Sequence, residues 1–175
     1  MLCGPFLFPI QARDLPSPQT SRPDVPNQAG GGRTIVVDTG RTQLPLLGLL
    51  RYRGIRTIDA LVLSHAHPDH TAGLSALLRD LRVQELWDNG RLAYSPPLPP
   101  DIRHRTLARG DIISTAGGAR FIALHPCAGY HAEKRTSEEN NDSLVLKSET
   151  SGGSILFTDD IGEDAENTQD RSQAA

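Results

Sequence analysis

The sequence is poor in the features that define several common classes of protein. Its 175 residues include two cysteines, Cys3 and Cys127, too few for the disulfide framework of a small secreted domain. The formal net charge is -3, so no overall basic charge indicates nucleic-acid binding. No apolar run is long enough to span a bilayer, and the proline-broken start lacks the basic residues of a signal peptide. The sequence therefore specifies neither a localisation nor an oligomeric state.

Breaks in composition divide the chain into three stretches. Residues 1–32 contain six prolines and a triple glycine without an apolar period, so we expect a disordered segment outside the core. Residues 33–166 alternate strand and helix patterns, which predicts one α/β domain. Residues 167–175 are polar, and we expect them to form a disordered tail.

Apolar patterning in the central stretch predicts the order of its elements. One helix is expected at Gln43–Tyr52, capped by Thr42, and a second around the leucines at positions 74, 77, 78 and 81, which repeat at helical spacing. Strands are predicted at Thr34–Val37, Ala60–Ser64, Glu85–Trp87 and Arg120–Leu124, with a hairpin formed by Ser143–Lys147 and Ser154–Thr158.

The hexapeptide His65–His70, with the sequence HAHPDH, is the strongest functional signal. It follows the apolar strand Ala60–Ser64, so its side chains are expected on the loop at the C-terminal end of that strand. Imidazole and carboxylate groups hold Zn²⁺ and similar metals while leaving a position open for water. A histidine-rich surface turn would also account for these residues, but the density of ligand groups favours a metal site.

The hexapeptide resembles the H-x-H-x-D-H signature of the metallo-β-lactamase superfamily. This resemblance implies an α/β fold of the αββα sandwich type. Asp38-Thr39-Gly40 is similar to the superfamily's D-x-G turn, whose aspartate supports the metal loop. Near the C-terminus, Asp160 matches a strand-end aspartate that bridges two metals, whereas Asp159 stands where the family usually has glycine. A side chain at Asp159 adds negative charge and opposes the tight turn that glycine would permit.

Longer matches resemble one branch of the superfamily, the C-terminal domain of DNA-internalisation competence proteins of the ComEC type. Residues 52–65 are similar to its R-x-R-G-I-x-x-I-D-x-L-V-L-S-H stretch, residues 140–146 to N-N-x-S-L-V-L, and residues 160–166 to G-D-I-E-x-x-A-E. The resemblance covers residues 33–166 in order. It implies DNA, or a small phosphodiester or ester, as the substrate.

The resemblance also implies a site for two divalent metal ions. His65 and His67 would hold one ion, Asp69 and His70 the second, and Asp160 would bridge them. Zn²⁺ is the ion expected from nitrogen and oxygen ligands, and Mn²⁺ is the alternative for phosphodiester chemistry. Two such ions about 3.5–4 Å apart activate a water and clamp the attacking and leaving oxygens. Asp69 would be catalytic as an orienting base.

The third ligand of the first ion has two candidates. His125 ends a predicted strand and matches an L-H-P sequence of the competence branch, although an ordinary polar residue would fit equally well there. Asn140 lies nearer the usual spacing before the bridging acid and is the other candidate. His104 and His131 are expected in exposed loops.

Departures from the family pattern leave three functions in contention. No histidine follows Asp160, although the family supplies one in an H-H-G-S segment, and proline-rich sequence replaces its opening strands. We therefore expect the N-terminal part of the sandwich, roughly its first half. The sequence favours a metal-dependent hydrolase of the phosphodiesterase or nuclease type linked to DNA uptake. An acyl-ester, thioester or lactam hydrolase would use the same metals, and a truncated, non-catalytic remnant is the remaining alternative.

Overall fold

Two sheets and a layer of helices make up the computed structural model, which describes residues 6–9, 32–127 and 138–161. The first sheet contains, in spatial order, β1 Phe6–Pro9, β2 Thr34–Val37, β3 Thr57–Val62, β4 Arg82–Asp88 and β5 Arg103–Thr106. The second contains β6 Ile112–Ser114, β7 Arg120–His125, β8 Val145–Thr150 and β9 Gly153–Phe157. The helices are α1 Gln43–Tyr52, α2 Pro68–Thr71, α3 Leu74–Asp80 and α4 Glu138–Asn141.

The direction of the strands decides where functional side chains can gather. Strands β2 to β5 are parallel to one another, β1 is antiparallel to β2, and the second sheet is antiparallel throughout. The C-terminal ends of β2, β3 and β4 therefore lie at one edge of the first sheet, the usual place for ligand sites in such sheets. The predicted α/β fold is confirmed, with both predicted helices and each predicted strand present.

Side-chain alternation along the central strands builds two hydrophobic cores. Leu61 of β3 packs towards the helices, in one buried cluster with Leu50 of α1 and Leu77 of α3. Its neighbour Val62 points to the other face and joins Phe121 in the cluster between the sheets. Burying each such side chain contributes about 1.5–3 kcal/mol. The described residues thus form three layers, one of helices and two of sheets, of the αββα sandwich.

Two strands of the first sheet differ from the sequence-based expectations. Phe6–Pro9 pairs with Thr34–Val37, so the expectation that residues 1–32 lack regular structure is wrong at these four positions. Apart from residue 32, the rest of that segment lies outside the described residues, as does the predicted tail at 167–175. Arg103–Thr106 also forms a strand, although all four of its residues are exposed. It has no apolar alternation, and it is held by parallel pairing with β4.

The last strand of the second sheet has apolar side chains at the surface. Ile155 is 41% exposed and Leu156 is 54% exposed, although both belong to a strand-forming run. In the described parts of the chain, no helix is long and apolar enough to cross a membrane.

Candidate metal centre

The loop His65–His70 is held in place by the turn that follows β2. Asp38 in this turn has a φ of 57°, a left-handed conformation that short polar residues tolerate best. Its buried carboxylate accepts hydrogen bonds from the backbone N–H (2.9 Å) and the hydroxyl (2.9 and 3.0 Å) of Ser64. The backbone N–H of Thr39 donates to the carbonyl oxygen of His70 (2.7 Å). One turn therefore ties both ends of the loop.

The three histidines of the loop lie against one another. The ring centroids of His65 and His67 are 4.6 Å apart, and those of His65 and His70 are 4.2 Å apart. His65 and His70 are 1% and 2% exposed, and His67 is half-buried. Pro68 starts helix α2 directly after His67, a position where the fixed φ of proline suits a first helical turn. The loop thus concentrates imidazole groups at the end of a buried strand.

The end of β9 brings two aspartates to the same point. Asp160 Oδ2 lies 3.3 Å from His70 Nε2, although the residues are 90 positions apart in the chain. The Asp159 carboxylate lies 2.9 Å from His65 Nδ1 and 3.3 Å from His70 Nδ1. The predicted juxtaposition of Asp160 with the histidine loop is therefore present. Contact between Asp159 and both histidines was not predicted from the sequence.

The ring nitrogens of His65 show that the site suits a cation. Nδ1 faces the Asp159 carboxylate, which can only accept a hydrogen bond when ionised, so Nδ1 carries the proton. Nε2 then offers a lone pair, and it is buried without a hydrogen-bond partner among the described residues. Ligand atoms of His65, His70 and Asp160 all lie within 4.8 Å of one another. A divalent ion bound by these atoms would satisfy the orphaned nitrogen.

A second group of ligand-type side chains, Asp38, His70 and Asp159, also lies within 4.8 Å. These side chains are already bonded to one another, because His70 Nδ1 faces Asp38 Oδ2 at 3.0 Å and Asp159 Oδ1 at 3.3 Å. His70 therefore directs Nδ1 to the two carboxylates and leaves Nε2 on the Asp160 side. The second group supports the first, since carboxylates of this kind orient metal-binding imidazoles.

The carboxylates set the charge of the metal-free site. Burial by itself lowers the pKa of His70, but hydrogen bonds and charge from Asp159 and Asp38 raise it to about 11. Burial raises the pKa of Asp159, yet hydrogen bonds from His65 and His70 outweigh this and hold that pKa well below its usual range. Burial raises the pKa of Asp38. Without a metal, His70 is therefore a cation between carboxylates, and a bound ion would have to displace its Nε2 proton.

Asp69 occupies the outer side of the loop. Its side chain is 41% exposed, lies 3.9 Å from His70 Nε2, and forms an ion pair with Arg41 at 3.7 Å. Slight burial raises its pKa, but its own backbone N–H and the neighbouring His70 and Arg41 lower that pKa overall. Asp69 is thus an ionised, accessible carboxylate beside the ligand cluster. Its assignment as a catalytic group and metal ligand stays a prediction.

His125, one of the two candidates for a further ligand, lies outside the cluster of His65, His70 and Asp160. His125 is buried, and its Nδ1 donates to the carbonyl oxygen of Ser143 at 2.9 Å. Burial lowers the pKa of His125, which keeps the ring neutral. Asn140 has a buried Oδ1 without a hydrogen-bond partner among the described residues.

The remaining histidines differ in what the structure says of them. His104 was expected in an exposed loop, but it belongs to β5, and its Nε2 contacts Asp88 Oδ2 at 2.7 Å. This contact was not predictable from the sequence, because RHRT has no strand pattern. His131 lies outside the described residues.

A cavity of about 410 Å³ adjoins the loop His65–His70, which we call the metal loop. Ala66 and Thr71 line it on the loop side, Leu74 and Leu78 on the side of α3, and the proline-rich stretch 92–99 on the far side. The metal loop therefore borders a space large enough for part of a small ligand.

Parallel strands ending in a histidine loop, packed on a second sheet that supplies an aspartate, define a hydrolase fold of the metallo-β-lactamase type. The sequence pattern of the Metallo-beta-lactamase superfamily matches residues 28–159. This match covers most of the chain, and the chain belongs to that superfamily. The resemblance seen in the sequence is thereby confirmed.

Relatives among characterised proteins include competence proteins. The chain is 30% identical over 129 residues to ComE operon protein 3 of Bacillus subtilis, and 29% identical over 132 residues to competence protein ComA of Neisseria gonorrhoeae. The matches cover 69% and 74% of this chain, but 16% and 17% of the relatives. The chain thus spans about one sixth of the length of these relatives. A Cronobacter sakazakii metallo-beta-lactamase with a HARLDQ motif superposes with a TM-score of 0.50 at 16% identity, covering 71% of this chain and 48% of that one, which shows the fold alone.

Proposed function

We propose that this chain is a metal-dependent phosphodiesterase, with DNA as its polymeric substrate. The observation that carries the proposal is the buried, unpartnered Nε2 of His65 beside His70 and Asp160. A buried polar atom without a partner is costly, and its persistence at a ligand cluster supports a role in binding an ion. The similarity to competence proteins supports a phosphodiester rather than a lactam as the substrate.

The ligand roles are those that the family resemblance implies. His65 and His67 would hold one divalent ion, Asp69 and His70 the other, and Asp160 would reach both. Zn²⁺ is the expected ion, with Mn²⁺ as the alternative. When bound, such ions supply an activated water and neutralise charge on the departing oxygen.

The chain's own groups would handle the proton and position the substrate. The ionised Asp69 carboxylate, which lies on the exposed side of the loop, would accept a proton at an Oδ atom and orient the attacking water. The cavity bordered by Ala66 and Thr71 would receive the part of the substrate next to the scissile bond. Its leucine and proline side chains would suit a base or aryl group, and Arg79 supplies one cationic group to the lining.

The test compares substrates of three classes on purified protein loaded with Zn²⁺ or Mn²⁺. We expect turnover of bis-p-nitrophenyl phosphate and of single- or double-stranded DNA, and little turnover of p-nitrophenyl acetate or a chromogenic cephalosporin. We expect slow turnover by the 175-residue chain, in which Asp69, His70 and Asp160 would be the ligands of the second ion. The variant His67→Ala should abolish it.

A matched control is Asp80→Asn, which changes an aspartate of α3 that is ion-paired with Arg51 at 3.5 Å. This variant should retain wild-type turnover. Faster hydrolysis of the ester or the cephalosporin would replace the phosphodiesterase proposal by an acyl-hydrolase. Stoichiometric metal binding without turnover of any substrate would instead identify a non-catalytic metal-binding chain.

A further inference from the structure

Asp159 occupies a backbone conformation that favours glycine. Its φ is 52°, in the left-handed region, and the family resemblance places glycine at this position. Residues with side chains in this region are uncommon, and such outliers concentrate where a site requires them. Asp159 thus occupies a turn in which glycine would carry less backbone strain.

The carboxylate of Asp159 contacts two candidate ligands at once. Oδ2 lies 2.9 Å from His65 Nδ1, Oδ1 lies 3.3 Å from His70 Nδ1, and the side chain is 7% exposed. Asp159 contacts both histidine rings at Nδ1, the nitrogen opposite Nε2, and Nε2 is the atom that would face the ion. An ionised carboxylate can only accept, so each contact keeps a proton on Nδ1.

The two histidines depend on Asp159 to different degrees. His70 Nδ1 also contacts Asp38 Oδ2 at 3.0 Å, so it has a second carboxylate. His65 Nδ1 has the Ser64 hydroxyl as its other contact, at 3.1 Å, and that hydroxyl also donates to Asp38. Among the described residues, Asp159 is therefore the one carboxylate that contacts His65 Nδ1.

We propose that Asp159 is a positioning residue of the metal centre, which holds His65 in the tautomer whose Nε2 lone pair faces the ion. This inference rests on the proposed function for the identity of the ligands. The glycine of the family pattern has no side chain that could make these contacts. Carboxylates that orient metal-binding imidazoles typically change metal affinity by 10–100-fold when removed.

The test uses Asp159→Gly, which removes the carboxylate and relieves the backbone, and Asp159→Asn, which keeps the shape but offers a single acceptor oxygen. Thr158→Gly is the matched control, because it adds backbone freedom one residue earlier at an exposed side chain. One readout is the Zn²⁺ affinity, measured by competition with a chromogenic chelator. The other is the ring ¹⁵N shifts of His65 in metal-free protein, assigned by comparison with His65→Ala.

We expect Asp159→Gly to lower Zn²⁺ affinity at least about tenfold and Asp159→Asn to lower it less, while Thr158→Gly stays within about twofold. The metal-free wild type should show a protonated Nδ1 and an unprotonated Nε2 on His65, and Asp159→Gly should show averaged shifts. If Asp159→Gly does not fold, Asp159→Ala, which also removes both acceptor oxygens, decides by the same two readouts. Unchanged affinity and an unchanged His65 tautomer would overturn the proposal. The tautomer readout needs no catalysis, so a wild type that binds Zn²⁺ without turnover would refute the proposed function and leave this inference standing.

Discussion

Two buried polar clusters lie at the C-terminal ends of neighbouring parallel strands, and they differ in whether their hydrogen bonds are complete. At the end of β4, Asp88 accepts from the backbone N–H of Gly90 at 2.7 Å, from His104 Nε2 at 2.7 Å, and from the hydroxyl of Tyr94. After β3, His65 keeps a buried nitrogen without a partner among the described residues.

The difference separates a structural cluster from a candidate functional one. In the Asp88 cluster both carboxylate oxygens accept hydrogen bonds from protein groups. These groups therefore stabilise the fold without a bound ligand. Tyr94 belongs to the stretch that lines the cavity beside the metal loop, so this cluster holds one wall of that cavity. In the cluster of His65, His70, Asp159 and Asp160, which we call the histidine cluster, the unpartnered Nε2 of His65 lowers the stability of the metal-free protein. A bound ion would restore that stability.

The largest expected effect comes from removing the unpartnered nitrogen. His65→Ala should lower phosphodiester turnover by at least about 100-fold and reduce bound Zn²⁺, because a ligand of the ion is lost. The unfolding free energy of the metal-free protein should fall by less in His65→Ala than in Asp88→Ala. Metal content measured by plasma emission spectroscopy, together with turnover, checks this. Wild-type Zn²⁺ content in the variant would show that His65 is no ligand.

Asp88→Ala should have the opposite signature. It leaves the Tyr94 hydroxyl and the Gly90 N–H without their buried acceptor, which costs on the order of 3 kcal/mol of unfolding free energy. Zn²⁺ affinity should change little, since Asp88 is not in the ligand cluster. Urea unfolding and chelator competition measure the two quantities. A large loss of affinity with intact stability would contradict the distinction between the clusters.

The stability of the metal-free protein should depend on pH through the histidine cluster. The pKa of His70 is raised from about 6.5 to about 11, so its contribution is complete below about pH 6.5 and is lost as the pH rises towards 11. The pKa of Asp38 is also raised, so the titration of Asp38 likewise lowers the stability as the pH rises. The pKa of Asp159 is lowered, so its contribution is present above about pH 4 and is lost below.

Urea unfolding of the metal-free protein should therefore give a higher unfolding free energy at pH 7 than at pH 9, an interval that lies above the lowered pKa of His125, whose titration acts in the opposite direction. The variant Asp159→Asn serves as the control, because it removes one of the charges that hold the His70 proton and should flatten this dependence. A free energy that rises over the same interval would contradict the assignment of charge to the cluster.

The smallest expected effect is that of Tyr94→Phe. It removes one hydrogen bond to Asp88 while the His104 and Gly90 contacts remain, so the unfolding free energy should fall by about 1 kcal/mol. Turnover should decline slightly through the looser cavity wall. Chemical denaturation with turnover of bis-p-nitrophenyl phosphate measures both, and an effect as large as that of Asp88→Ala would mean that Tyr94 dominates the cluster.

Local pattern predicted the elements whose residues alternate or repeat. The leucines of α3 and the apolar run before His65 each bury a face that is visible in the sequence, and both elements form as expected. The strand Arg103–Thr106 escaped prediction because its arginines are held across strands by Glu85, at 2.6 and 2.9 Å. Such pairing depends on a partner about twenty positions away. The Phe6–Pro9 strand was missed for the same reason, since its partner Thr34–Val37 is distant in the chain.

The identity of the superfamily and the concentration of ligand-type residues in His65–His70 follow from the sequence alone, because strand, loop and ligand spacing are all local. Which nitrogen of each ring is engaged depends instead on the tertiary structure. Asp159 and Asp160 reach the loop by the packing of the second sheet on the first, over 94 and 90 positions of chain. Directional contacts of about 3 Å depend on the position of whole layers, which no spacing rule records. In the sequence, Asp159 was notable for standing at a position where the family pattern has glycine. In the folded protein its carboxylate contacts both His65 and His70.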